Sequence, residues 1–398
     1  MKQTILGSLF CLFTLLLCAQ PPNGNNLSPS VNTQNGLMET NSNIQPGYLF
    51  NGNVKVLNTM PVDSVQKTEL NINQFSADSE DDKMFDARAV DQKLQTYDAF
   101  YLVRQKAKAN RIQRTPLSVE QTEMDAKVKQ LEQIAPHSWE HEYAFYAAGN
   151  YNLDRGTSIE KAYELNSEEV EIQKQFFSYK YISGDTLAST DVLSNLSVNE
   201  VLNVDVQMYT SDVLTSCAPN ATLITHGFED TYGCLLNQFN FSQATDVRVV
   251  SLDFMQSPQY REHLVELGYN LPKSTKIDVE YLGQFCKLNP QQALFLSLTI
   301  PRNYLEPLSK KLYPVGLTFQ YAENADADLP ERQEQLWFEQ LNKYGLNEGE
   351  QRTKFALNYL PMLLYLEKKY ETEGNDLLLQ QIRQSKDELL GRSKNTGN

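Results

Sequence analysis

The chain has 398 residues, of which 41% are hydrophobic and 10% aromatic, too many for a chain that stays unfolded and enough for two domains. Its 35 Lys and Arg face 50 Asp and Glu, a net charge of −15, which argues against a protein that coats nucleic acid or anionic lipid, since both need a basic face. Outside the N-terminus no apolar run approaches the ~18 residues of a membrane-spanning helix.

Residues 1–19 have the pattern of a signal peptide, with Lys2 as the positive end and Ile5 to Leu17 as the apolar core. Two exits stay open. Cleavage after Ala19 leaves Gln20 as the first residue, whereas Leu15-Leu16-Leu17-Cys18 as a lipobox makes Cys18 a lipidated N-terminus. Residues 20–83 read as a tether rich in Asn, Ser, Pro and Gly, with little to build a core.

From 84 to 213 the pattern turns helical. Val90, Leu94, Tyr97 and Tyr101 recur at steps of four, three and four, widened by Phe100 and Val103, and predict an apolar helix face. Ser118 with Gln121 suggests a capping box opening a helix that runs to about Ile134. Further helices are expected over 138–149, 158–165, 170–182 and 186–196, with spacing that resembles tetratricopeptide pairs.

Residues 214–325 alternate strand and helix. Strands are expected at 221–225, 246–252, 293–300 and 315–321, and helices at 230–239, 258–267 and 304–312. Alternation of this length predicts an α/β domain, a small parallel or mixed sheet covered by helices. Residues 326–398 return to helix, over 330–344, 351–370 and 375–390.

Several residues are candidates for chemistry. His137, Glu140 and His141 spell H-x-x-E-H, the inverted zinc-protease motif, but Pro136 makes the helical phase doubtful, and no metal is expected. Thr225-His226-Gly227-Phe228 after an apolar strand is similar to the oxyanion loop of α/β-hydrolases, yet the chain contains no G-x-S-x-G elbow. His226, Glu229, Asp230 and Asp253 follow strand ends, where ligands of open α/β sheets bind, although Asp230 also suits a helix cap and Gly227 a turn. No glycine-rich phosphate cradle occurs, so no cofactor is expected. Cys217 and Cys234 allow a disulfide; three buried thiols, with Cys286, are the plainer alternative.

The order Ile224-Thr-His-Gly-Phe-Glu-Asp-Thr-Tyr232, Asp246-Val-Arg-Val-Val-Ser-Leu252, Leu294-Phe-Leu-Ser-Leu-Thr-Ile-Pro301 and Leu312-Tyr-Pro-Val-Gly-Leu317 resembles the soluble C-terminal region of multi-pass membrane proteins of Bacteroidota related to protein O-mannosyltransferases. The transmembrane bundle of those proteins has no counterpart among these residues, so the resemblance implies a fold and an envelope setting, not transferase activity. The sequence expectation is an exported, non-enzymatic cell-envelope protein, in the periplasm or at the outer membrane. It would act as a binding or assembly subunit for a protein partner, with no nucleic-acid partner and membrane contact only through a lipid on Cys18. The alternative is an envelope hydrolase or transferase using the strand-edge carboxylates.

Overall fold

The computed structural model describes residues 80–346 and 355–391, so the signal segment, Cys18 and nearly all of the tether lie outside the described residues. The first helix, α1 (Glu80–Lys108), is followed by α2 (Ser118–Ile134), α3 (Trp139–Ala148), α4 (Gly156–Leu165), α5 (Val170–Ile182), α6 (Thr186–Val198) and α7 (Val204–Thr215). From α1 to α6 each helix packs on the next. None of the described helices is long and apolar enough to cross a membrane.

The face expected for α1 is buried in its C-terminal half and not in its N-terminal half, with Tyr97 packed on the core. Phe100, Val103 and Ala107 are buried with Thr96, whereas Val90 and Leu94 are exposed. Helix α2 begins where expected, but its reach-back comes one residue earlier: Leu117 N donates to Glu120 Oε2 at 3.0 Å, while Gln121 donates instead to Asp125 and to Ala148 O.

The sheet carries β1 (Thr222–Thr225), β2 (Arg248–Ser251), β3 (Leu294–Ser297), β4 (Leu312–Val315) and β5 (Thr318–Tyr321), in the spatial order β2-β1-β3-β5-β4. β1 pairs parallel with β2 and β3, and the β4–β5 hairpin is antiparallel to β3, so the sheet is mixed. The parallel strands are short and buried along their length except at Arg248, as strands covered on both faces must be. Helices α8 (Phe228–Phe241), α9 (Pro258–Glu266), α10 (Val279–Leu288) and the single turn α11 (Arg302–Leu305) fill the connections. Neither α7 nor α10 is anticipated in the sequence reading, although both have polar N-caps, Asn203 and Asp278.

The expected single strand over 315–321 is in fact a hairpin. Gly316 stands in the turn at φ 55°, and a Cβ there would lie 2.1 Å from Ser216 Oγ, so neither the backbone nor the space admits a side chain. Ser216 Oγ accepts from Leu317 N and Gln333 Oε1 from Gly316 N, each at 2.9 Å. Pro314, which reads as a strand breaker, is tolerated because β4 is an edge strand.

Helices α12 (Leu329–Gln335), continued by a π-helical turn over Leu336–Gln340, then α13 (Leu360–Glu373) and α14 (Asp376–Leu389) complete the described chain. One core runs without a break from Tyr151 and Phe177 through the sheet to Tyr370 and Leu389, crossing the expected boundaries at 213 and 325. Each large apolar side chain fully withdrawn from water there contributes about 1.5–3 kcal/mol. Aromatic rings join the layers: Phe177 of α5 lies 4.3 Å from Tyr232 of α8, and Tyr151 lies 5.4 Å from Phe254 beyond β2. A second, smaller core of Phe100, Met124, Leu131, Tyr143 and Tyr146 binds α1 to α4. Far along the chain, Asp212 of α7 is buried and accepts from Asn342 N, Lys343 N and Tyr359 Oη at 2.7, 2.9 and 2.6 Å.

Candidate functional site at the strand ends

β1 connects through α8 to β2 on one side, and β3 lies on its other side, so the carboxyl end of β1 is the topological switch point where α/β sheets place ligands. Here β1 gives way to His226 and then to Gly227, whose φ of 82° turns the chain into α8. The turn leaves two inward backbone donors, and the candidate carboxylates accept them. His226 N donates to Asp230 Oδ2 at 2.9 Å, and Gly227 N to Asp253 Oδ2 at 2.7 Å.

Asp230 is 1% exposed and takes two further donors, Ser297 Oγ at 2.9 Å and Thr299 Oγ1 at 2.8 Å. Burial pushes its carboxyl up to about 6, the three donors pulling against that rise. Asp253 meets the opposite fate: burial would raise it, but the guanidinium of Arg114, acting with the Gly227 N–H and its other neighbours, brings it down to about 2. Arg114 Nε and Nη2 reach the same oxygen, Asp253 Oδ1, at 2.7 and 2.6 Å. Two carboxylates that accept from adjacent N–H groups of one turn are thus separated in acidity by their surroundings.

Arg114 comes from the α1–α2 loop, which is stitched to the segment before α10. Arg114 N donates to Ile277 O at 2.6 Å, Ile277 N to Thr115 Oγ1 at 2.9 Å, and Gln113 bridges Asp278. The helical layer therefore supplies the counter-ion of a residue on the sheet edge.

His226 is 9% exposed, and neither ring nitrogen has a hydrogen-bond partner. Burial, helped by the charge of Arg114 and opposed by Asp253, lowers its imidazole to about 3, so the ring is neutral at physiological pH. Glu229 lies half-buried on the first turn of α8. Of the four strand-edge candidates, the structure brings His226, Asp230 and Asp253 into one network of turn donors, hydroxyls and one guanidinium.

Beside Asp253 opens a cleft of about 300 Å³, counting its mouth, lined in part by Arg104, Lys108, Arg114, Tyr151, Asp253 and Gln256. Arg104 donates through Nη1 to Ala147 O and through Nη2 to Gln175 Oε1 at 3.1 Å, while its Nε is buried without an acceptor. Lys108 lies 3.3 Å from Glu171, which Lys174 also approaches at 2.8 Å.

The other candidates resolve differently. His137 stands at φ 64° before the helix, with Ser138 as the N-cap of α3, so the i, i+4 helical geometry that H-x-x-E-H requires is missing. Glu140 pairs with Lys93 at 2.7 Å. Among the described residues no group of three or more His, Cys, Asp or Glu side chains is placed to hold a metal ion. The disulfide allowed by the sequence is not formed: Cys217, Cys234 and Cys286 are buried free thiols, and Cys217 Sγ lies 3.6 Å from Val213 O within its own helix turn. Burial pushes all three thiols up, which leaves them inert.

Sequence reasoning missed Arg114, Ser297 and Thr299. Nothing local marks Arg114, which stands 139 positions from its partner. Ser297 and Thr299 did leave a signal, two hydroxyls at alternate positions in the otherwise apolar run Leu294–Ile300. Neither the protein-family models, nor the curated proteins, nor the solved structures yield a match to this chain.

Proposed function

We propose that the chain is an exported binding or assembly subunit for a protein partner in the cell envelope. The observation that carries this reading is the commitment of the two strand-edge carboxylates to the fold itself. Asp230 is buried beneath three internal donors and Asp253 beneath a backbone N–H and a guanidinium. A general acid or base must exchange its proton with a substrate within hydrogen-bond reach. A hydrolase or transferase built on these two groups would first have to dismantle the turn that opens α8.

The sequential packing of α1 to α6 supports a tetratricopeptide-like reading of the helical layer, a type of scaffold whose surfaces bind chains. The signal-like N-terminus supports export to the periplasm or outer membrane, with Cys18 the attachment point on the lipoprotein route. The resemblance to the soluble region of O-mannosyltransferase-related membrane proteins of Bacteroidota agrees with an envelope setting.

The test is site-specific photo-cross-linking in the native envelope from Leu102 and Val119, both exposed on the helical layer, with exposed Leu377 of α14 as control. One protein captured from the first two positions and not from the third, and still captured with Asp230→Asn, is the expected result. Absence of any such capture, or an envelope reaction that disappears in Asp230→Asn while the fold persists, refutes the proposal.

A further inference from the structure

We infer that the cleft between α1, the α1–α2 loop and the end of β2 is a binding site for a small tetrahedral oxyanion, phosphate or the phosphoryl end of a larger molecule. Three observations meet there. The first is charge. Arg104, Lys108 and Arg114 line the cleft with a single carboxylate, Asp253. Including the ion-paired neighbours Glu171 and Lys174, four cations meet two carboxylates, in a chain whose net charge is −15.

The second is an unspent donor. Arg104 is 3% exposed, its two terminal nitrogens are satisfied by a carbonyl and an amide oxygen, and its Nε has no acceptor. A buried guanidinium held only by neutral acceptors is costly, and an anion offsets that cost through charge-assisted hydrogen bonds. The third is access: the cleft opens to solvent, so an anion can enter it. Burial also holds the Lys108 ammonium down to about 8, against the pull of Glu171, as expected of a cation lacking part of its counter-charge.

The ligand class does not depend on the partner-binding reading above. Arg114 links the two, because it holds Asp253 while lining the cleft, so the chosen variants leave it untouched.

The experiment is thermal unfolding of the full chain titrated with inorganic phosphate, and separately with glycerol 3-phosphate, against chloride at equal ionic strength. Wild type should show a saturable rise in Tm with phosphate, and a tighter response to the ester would assign the site to a phosphoryl end group. Arg104→Met and Lys108→Met should each weaken the response about tenfold or more, the loss expected for one charge-assisted hydrogen bond. Lys108→Met decides the matter if Arg104→Met fails to fold, since Lys174 still serves Glu171. No saturable response to either phosphate compound, or an unchanged response in Lys108→Met, overturns the assignment.

Discussion

Replacing Asp230 with asparagine should leave the fold intact and change how its stability depends on pH. The folded carboxyl titrates at about 6, against 3.8 for an ordinary aspartate. Between pH 4 and 6 the folded chain therefore holds a proton that the unfolded chain has released, and stability falls as pH rises through that window. A gap of about two units amounts to about 3 kcal/mol, present near pH 4 and gone by pH 7. The amide of Asp230→Asn can still accept from His226 N through its oxygen while its NH2 donates to Ser297 Oγ, and Ser297 can turn its own proton toward Thr299 Oγ1, 3.1 Å away. Asp230→Ala, by contrast, strands the buried His226 N–H and should cost about 1–3 kcal/mol at every pH. Urea unfolding at pH 4.5 and pH 7, followed by fluorescence, gives the comparison. The stability of Asp230→Asn relative to wild type should improve by about 2 kcal/mol or more from the lower pH to the higher. A difference that does not move with pH would show that burial does not set the acidity of this carboxyl, and the account of the turn would fail with it.

Asp253 should act with the opposite sign: held at about 2, it stabilises the fold above pH 4 by about 2 kcal/mol, a contribution lost as pH falls toward 2. Arg114→Met leaves that carboxylate buried beside Gly227 N alone and should cost about 3–5 kcal/mol in urea unfolding at pH 7, with much of it regained in the double variant Arg114→Met, Asp253→Asn. The His226 ring, brought down to about 3, should keep the NMR shifts of a neutral imidazole at pH 5; protonation there would mean that the ring is not buried as described. Gly316→Ala combines a positive φ with a 2.1 Å approach to Ser216 Oγ, so a loss of about 2 kcal/mol or more in thermal unfolding is expected, and an unchanged Tm would contradict the hairpin geometry.

The parts of the fold legible in the sequence are those whose evidence is local. Apolar runs bounded by turn residues mark β1, β2 and β3, and α5 runs from Val170 to Ile182 as its pattern predicts. The misplaced elements share a cause, a residue whose local meaning is overridden by its neighbours in space. Pro314 and Gly316 suggest the end of a helix and the interior of one strand, until Gln333 and Ser216 supply the bonds that make them a hairpin. Gly283 interrupts the pattern of α10, although Tyr281, Leu282, Phe285 and Cys286 bury one face of it. The strand-edge positions of His226, Asp230 and Asp253 could be read from the ends of apolar runs. Their states could not, because those depend on Arg114, Ser297 and Thr299, which the fold delivers from elsewhere.

The clasp around Asp212 bears on how the chain reaches this state. Its three donors, Asn342 N, Lys343 N and Tyr359 Oη, stand 130 to 147 positions downstream. As the polypeptide grows, α7 can form early, yet its aspartate has nothing to neutralise its burial until the last third of the molecule arrives. Contacts over such separations close slowly. The C-terminal segment thus works as a latch: only a chain that has reached Tyr359 can give Asp212 all three of the donors it holds in the folded protein.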